Sequence, residues 1–225
     1  MKSKALLYLM PALLWVAPLQ AETIFAYFGE EQISFEGENL PTVVEGELGQ
    51  LRELEFREGS DASGAEWAQY IEIPLPEGDL NELTIAFFLK PQRRDRNEDL
   101  VTCKWDTGNT GFRLSKSWNQ WLFSLGNGEE TARVQAASRD AALAMDEWQH
   151  LAITFKEGRV RFYKDAILLH EETVPVSFIR RESPLRIGAG LGRAYAFSGR
   201  MAGIHVAAEA LDDAGILALM QKANP

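Results

Sequence analysis

The chain has 225 residues, of which 46% are hydrophobic, 25% charged and 10% aromatic, proportions that suit a buried core and exclude disorder and collagen-like repetition. Its 33 acidic residues outnumber 23 Lys and Arg, and the formal charge of −10 repels phosphate backbones and anionic membrane surfaces, so nucleic acid is not an expected partner. The single cysteine, Cys103, excludes an internal disulfide framework and any metal site built on two or more thiolates.

The first 21 residues have the pattern of a secretory signal peptide. Lys2 and Lys4 form a positive start, Ala5 to Ala17 is an apolar run of 13 residues, and Gln20-Ala21 supplies a small residue before the polar Glu22. A membrane anchor needs about 20 apolar residues, and this run is shorter and interrupted by Pro11 and Pro18. Leu19 at the third position before the cut leaves the cleavage point open by a few residues, and no cysteine follows the run for lipidation. The expectation is a leader over 1–21 and one domain over 22–225, extracytoplasmic in the periplasm or the medium. Removing Lys2 and Lys4 leaves 21 basic and 33 acidic residues, net −12, and no later segment is apolar enough to span a bilayer.

Beyond Glu22 the dominant period is two. In Leu83–Leu89, Leu83, Ile85, Phe87 and Leu89 share one face, and Lys90-Pro91 ends the run where proline removes a ladder donor. Similar runs recur at Ile24–Phe28, Leu54–Phe56, Tyr70–Ile73, Leu100–Trp105, Phe112–Leu114, Trp121–Leu125, Trp148–Phe155, Val160–Tyr163, Ile167–Leu169, Leu185–Ile187 and Ile204–Val206. Turn-forming clusters separate most of them, among them Glu77-Gly78-Asp79, Asp106–Gly111, Gly126-Asn127-Gly128, Glu157-Gly158 and Gly188–Gly192. A dozen strands at this spacing predict an all-β antiparallel two-sheet sandwich or jelly roll. One helix is predicted from Asp213 to Lys222, with Asp212 as its cap and Leu211 and Ile216 as a hydrophobic staple.

The run Trp148-Gln-His150-Leu-Ala-Ile-Thr-Phe155, then Glu157-Gly158, then Val160-Arg-Phe-Tyr163-Lys-Asp165, resembles the Trp-x-His-Val-Ala strand and Tyr-x-Asp-Gly hairpin of laminin-G-like jelly rolls. Gln69–Pro74, Leu83–Pro91 and Leu100–Lys104 upstream, and Leu185–Gly188 and Phe197–Ile204 downstream, resemble further strands of that family in the same order. The chain is thus identified as an exported bacterial member of the laminin-G-like group of the concanavalin A-like lectin/glucanase superfamily. Three departures matter. Ala166 stands where the family hairpin has glycine, which predicts a hairpin wider than usual, and Ala202-Gly203 replaces an Asp-Glu after the closing strand. The family's Asp-x-Ser-Gly-Asn-Gly turn reads Glu36-Gly37-Glu38-Asn39 here, which puts a calcium site there in doubt.

The superfamily includes glucanases, whose chemistry needs two carboxyl groups about 5–5.5 Å apart for retention. Glu77-Gly-Asp79-Leu-Asn-Glu82 fits the spacing but lies among Pro74, Pro76 and Gly78, which predicts a solvated turn. Glu45 with Glu47 and Glu53 with Glu55 alternate as exposed charges on half-buried strands would. His150 shares a face with Trp148, Ala152 and Thr154 and reads as a hydrogen-bonded structural residue. Cys103 reads as a buried small hydrophobe. No catalytic residue is assigned.

Binding is the better supported class. The loop Trp105-Asp106-Thr-Gly-Asn109-Thr-Gly111 combines oxygen ligands, glycines and an aromatic, the equipment of a hard-cation site or of a sugar-contacting loop. Asp106 and Asn109 are the candidate Ca²⁺ ligands, and no other cofactor is implied. The plainer reading is that they shape a turn, with Trp121 in the core beside Phe123 and Leu125. Trp118, beside Lys116 and Asn119 and off the alternating run, is the tryptophan expected to be exposed. Candidate ligand residues are therefore Trp105, Asp106, Asn109 and Trp118. The readings carried forward are a binding module for a glycan or an envelope or extracellular protein, a glycoside hydrolase or lyase, and a structural or assembly protein of the envelope.

Overall fold

A computed structural model describes residues 23–27, 39–49, 51–60, 66–75, 77–103, 109–136, 138–181, 184–190 and 195–223. The predicted leader, residues 36–38, Trp105 and Asp106 lie outside the described residues.

Alternation of apolar and polar side chains produces short strands throughout. They are β1 (Thr23–Tyr27), β2 (Thr42–Glu45), β3 (Arg52–Phe56), β4 (Glu58–Ser60), β5 (Glu66–Ala68), β6 (Ile71–Ile73), β7 (Gly78–Leu80), β8 (Glu82–Pro91) and β9 (Asn97–Cys103). There follow β10 (Thr110–Ser117), β11 (Gln120–Asn127), β12 (Thr131–Gln135), β13 (Gln149–Lys156), β14 (Arg159–Lys164), β15 (Ile167–Thr173), β16 (Ile179–Arg181), β17 (Leu185–Ile187), β18 (Gly199–Ala207) and helix α1 (Asp213–Ala223). An eight-stranded sheet runs β15-β14-β13-β8-β18-β3-β2, with β1 also on β18, and faces a six-stranded sheet in the order β12-β11-β10-β9-β17-β6. Pairs β7–β16 and β4–β5 form two small ladders, and every ladder among the described residues is antiparallel. This is the predicted jelly-roll sandwich.

The core lies between the sheets. Leu83, Ile85, Phe87 and Leu89 of β8, with Leu151, Ile153 and Phe155 of β13, pack with Phe112, Leu114, Trp121, Phe123 and Leu125 of β10 and β11, all fully buried. Trp121 meets Phe162 of the other sheet edge to face at 5.0 Å and donates its Nε1–H to the Ala141 carbonyl at 3.0 Å, so both its apolar body and its polar tip are satisfied.

Helix α1 covers the outer face of the eight-stranded sheet. Ile216 is buried against Ala86, Ala152 and Tyr163, while Leu219 and Met220 pack with Phe88 and Ala202. The small side chains at 86, 152 and 202 let the helix approach closely. Asp212 caps it as predicted, its Oδ1 accepting the Gly215 N–H at 2.9 Å. Covered on both faces, β8 is buried along nearly its whole length. Among the described residues no helix is long and apolar enough to cross a membrane.

Four local expectations are corrected. The β14–β15 hairpin is not wide. Lys164 pairs with Ile167 across the two residues Asp165 and Ala166, both at positive φ (50° and 59°). The Asp165 carboxylate accepts the His150 N–H at 2.9 Å, and its own N–H donates to the His150 carbonyl at 2.8 Å, so the neighbouring strand holds a turn that alanine alone disfavours. Glu77–Glu82 is not a free turn, since Gly78–Leu80 pairs with Ile179–Arg181 and Glu82 opens β8. Glu53 and Glu55 are buried rather than exposed, because the Glu47–Gly49 turn and Arg200 close over them: Glu53 accepts the Glu47 N–H at 2.5 Å and Arg200 Nη1–H at 3.1 Å. His150 is structural, but among the described residues its Nδ1 has no hydrogen-bond partner, and the ring packs on Phe88 at 5.0 Å.

Candidate functional site

The outer face of the six-stranded sheet is the counterpart of the helix-covered face. On β10, Phe112, Leu114 and Lys116 turn inward while Arg113, Ser115 and Ser117 turn outward; on β11 and β12, Ser124 and Arg133 do the same. The register aligns Arg133, Ser124, Arg113, Thr102, Arg186 and Glu72 in one row across β12-β11-β10-β9-β17-β6. Neighbouring strands are about 4.8 Å apart, so this row is about 24 Å long.

The row is partly covered. Tyr70 lies over Arg186, whose Cζ is 4.3 Å from the ring centroid, and packs with buried Ala68, Ala189 and Ala196 at the β17–β6 end. Over β9–β12 the face opens into a cleft of about 180 Å³ lined by Asn97, Arg113, Ser115, Ser124, Arg133 and Tyr195.

Arg113 and Tyr195 form a stacked platform in that cleft. Arg113 Nε–H donates to Asp99 Oδ1 at 2.6 Å, and Asp99 is buried. The Asp99 N–H donates to the Tyr195 carbonyl at 2.6 Å, and the guanidinium stacks on the Tyr195 ring at 5.0 Å. One buried aspartate thus orients both partners. Tyr195 sits at φ 60° with 49% of its surface exposed, a strained backbone that holds an aromatic face toward solvent.

Trp118 stands at the end of the same hairpin, 61% exposed and at φ 60°. A buried ion pair fixes it. Lys116 Nζ lies 2.9 Å from Glu98 Oε2 and donates to the carbonyls of Arg93 (2.5 Å) and Trp118 (3.1 Å), while the Trp118 N–H reaches the Arg96 carbonyl at 3.3 Å. Burial raises the Glu98 carboxyl above its ordinary range, and the Lys116 ammonium and Ser198 N–H oppose that rise.

Of the other predicted site residues, Asn109 alone is described, and it is not brought to this platform. Asn109 is exposed at the opposite end of the hairpin, where its carbonyl accepts the Gly128 N–H at 2.7 Å, the geometry of a turn-shaping residue. Among the described residues no group of three His, Cys, Asp or Glu side chains is placed to hold a metal ion.

Arg113, Arg133, Asn97 and Tyr195 were not singled out from the sequence. The alternation in Phe112–Ser117 marks Arg113 and Ser115 as outward, but nothing local marks Tyr195 as their neighbour. A larger cleft of about 300 Å³, lined by Lys156, Arg159, Arg161 and Asp212 beside α1, is a weaker candidate. Its cations are already engaged, Lys156 with Glu82 at 2.8 Å and Arg161 with Glu171 at 2.6 Å.

Residues 63–217 match a laminin-G family model of the concanavalin A-like lectin/glucanases superfamily. The chain belongs to that superfamily. The sandwich of this laminin-G-like chain is similar to the heptameric SAP-like pentraxin of Limulus polyphemus (16% identity, TM-score 0.52, 67% of this chain and 75% of that one). It is similar also to the binding domain of botulinum neurotoxin DC, solved with rat synaptotagmin II (14%, TM-score 0.63, 90% and 52%). A third is botulinum neurotoxin type C, which depends on two ganglioside molecules to enter cells (11%, TM-score 0.63, 90% and 52%). The chain spans about half the length of both toxin chains. At these identities the likeness is one of fold. No curated protein sequence matches the chain at a significant level.

Proposed function

We propose that the mature chain is an exported, non-catalytic binding module that recognises a glycan on the open outer face of its six-stranded sheet. One observation carries this reading: the Asp99-oriented Arg113–Tyr195 platform lies in a cleft with outward hydroxyls and amides. Sugar rings offer an apolar face for Tyr195 and hydroxyls for Ser115, Ser124 and Asn97, Arg113 supplies a donor fixed by Asp99, and Arg133 adds exposed donors. A cleft of about 180 Å³ is below the roughly 300–1,000 Å³ of enclosing small-molecule pockets, which suits a groove that reads one ring of a longer chain. The leader pattern supports export to a bacterial periplasm or beyond, and the ganglioside dependence of the type C toxin is compatible with sugar recognition on this architecture.

The test is calorimetric titration of residues 22–225 with soluble polysaccharides, repeated on Tyr195→Ala and Arg113→Lys. Binding by the parent chain, weakened tenfold or more in both variants, is expected. Binding that survives both changes moves the site elsewhere.

A protein partner is the second reading, favoured by the indole of Trp118 held out on a strained turn, since tryptophan is enriched among binding hot spots. Silence toward every polysaccharide, with capture of an envelope protein that is lost in Trp118→Ala, selects it.

A further inference from the structure

Among the described residues Arg181 has no counterion. Its surface is only 7% exposed, and its Nε and Nη1 are buried with no hydrogen-bond partner among the described residues. The register explains why. Strand β16 pairs Arg180 with Asp79 and Arg181 with Gly78, so the acid lies on the face of Arg180, and the residue opposite Arg181 has no side chain. Arg180 Nε lies 3.6 Å from Asp79 Oδ1, and both side chains are about half exposed. Gly78, at φ 145°, has a backbone that favours glycine, and a Cβ there would stand 3.7 Å from Arg181 Nη2. That side of the guanidinium is therefore left bare.

A guanidinium does not release its proton at physiological pH, so it cannot escape burial by becoming neutral, as lysine or histidine can. Burying such a charge unpaired is strongly unfavourable, and an oxyanion that accepts two parallel N–H bonds removes the penalty. Arg180, on the other face of β16 and beside Asp79, has its Nη1 3.4 Å from where a Cβ on Gly128 would be. This locates β16 at the end of the β10–β11 hairpin opposite Trp118, about 13 Å along the strands from the level of Arg113 and Ser124.

We infer that Arg181 anchors a second binding site, at the Asn109–Gly128 end of the sandwich, which takes a carboxylate group. The site is independent of the glycan reading for the outer face. If an acidic polysaccharide is the ligand, the two sites hold different parts of it.

The experiment is thermal unfolding of residues 22–225 in sodium chloride, and in acetate, glucuronate or neutral glucose at matched ionic strength. Acetate and glucuronate should raise the midpoint by about 3–6 °C at tenfold excess over Kd, and glucose should not. Arg181→Met should abolish that rise and also raise the midpoint of the ligand-free protein, because it removes the unpaired buried charge. Arg181→Lys, which keeps the charge and loses the planar fork, should weaken the carboxylate response about tenfold, and Arg180→Gln should preserve most of it. A ligand-free midpoint lowered by Arg181→Met would mean that the guanidinium has a structural partner and would overturn the inference. No carboxylate effect on the parent chain, or one that persists in Arg181→Met, overturns it equally. Loss of polysaccharide binding in Tyr195→Ala with the carboxylate response intact would separate this site from the outer face.

Discussion

The two outer faces of the sandwich have opposite fates. On the eight-stranded sheet, alanines at 86, 152 and 202 make a shallow bed for Ile216, Leu219 and Met220 of α1, and His150 is sealed beneath as a neutral ring. On the six-stranded sheet, Arg113, Ser115, Ser124 and Arg133 stand up from the strands, and no helix among the described residues lies over them. A second apolar layer makes one face a structural element, and the proposed reading gives the other to a ligand. Substitutions on the first face should therefore register in stability and those on the second in binding.

The largest expected effect is Ile216→Ala, which empties a fully buried position under the helix and should cost about 2–4 kcal/mol in urea unfolding. A loss below about 0.5 kcal/mol would show that α1 is not a true second layer.

Next is pH. Burial lowers His150 from 6.5 to about 4, so the folded state disfavours its protonation. Its contribution is complete above pH 6.5 and is lost as pH falls from 6.5 through about 4, because the unfolded chain then binds the proton first. Up to about 3 kcal/mol is involved. His205, lowered by burial and by Lys222, acts with the same sign, whereas Glu98, raised by burial, acts with the opposite one. The difference between the parent and His150→Phe isolates the residue: its acid slope should be shallower in the variant, and parallel curves would refute the assignment.

A smaller change should have the other sign. Trp118→Gly relieves a φ of 60° at an exposed position and should leave stability unchanged or raise it by about 1 kcal/mol, while reducing capture of any protein partner. The smallest effect on stability belongs to Ser124→Leu, within about 0.5 kcal/mol, yet the larger side chain should obstruct the cleft and abolish polysaccharide binding. Unimpaired binding there would move the ligand off this face.

Much of the architecture was legible because it rests on local periodicity. The alternation in Leu83–Leu89 placed four side chains in the core, and Asp212 marked the start of α1 within a residue. Where the reading went astray, long-range partners had changed a local rule. Alternation made Glu53 and Glu55 look solvated, but Arg200, some 145 residues away in sequence, draws both into a buried network. Alanine at 166 argued for a wide hairpin, but the β13–β14–β15 ladder and the Asp165–His150 hydrogen bonds hold the tight one.

The candidate site divides in the same way. Trp118 was visible because it breaks the alternation between two strands, and Arg113 lies on the outward face of a readable strand. Tyr195 could not be attached to Arg113 from the sequence, since the 81 intervening positions carry no signal of where the chain returns. The sequence by itself determined the antiparallel sandwich, the terminal helix and the net charge, because side-chain period, capping and charge are properties of neighbouring residues. Only the tertiary structure decided which face α1 covers, that Asp99 joins Arg113 to Tyr195, and that Arg181 is opposed by a glycine, because register and loop path bring together residues the chain holds far apart.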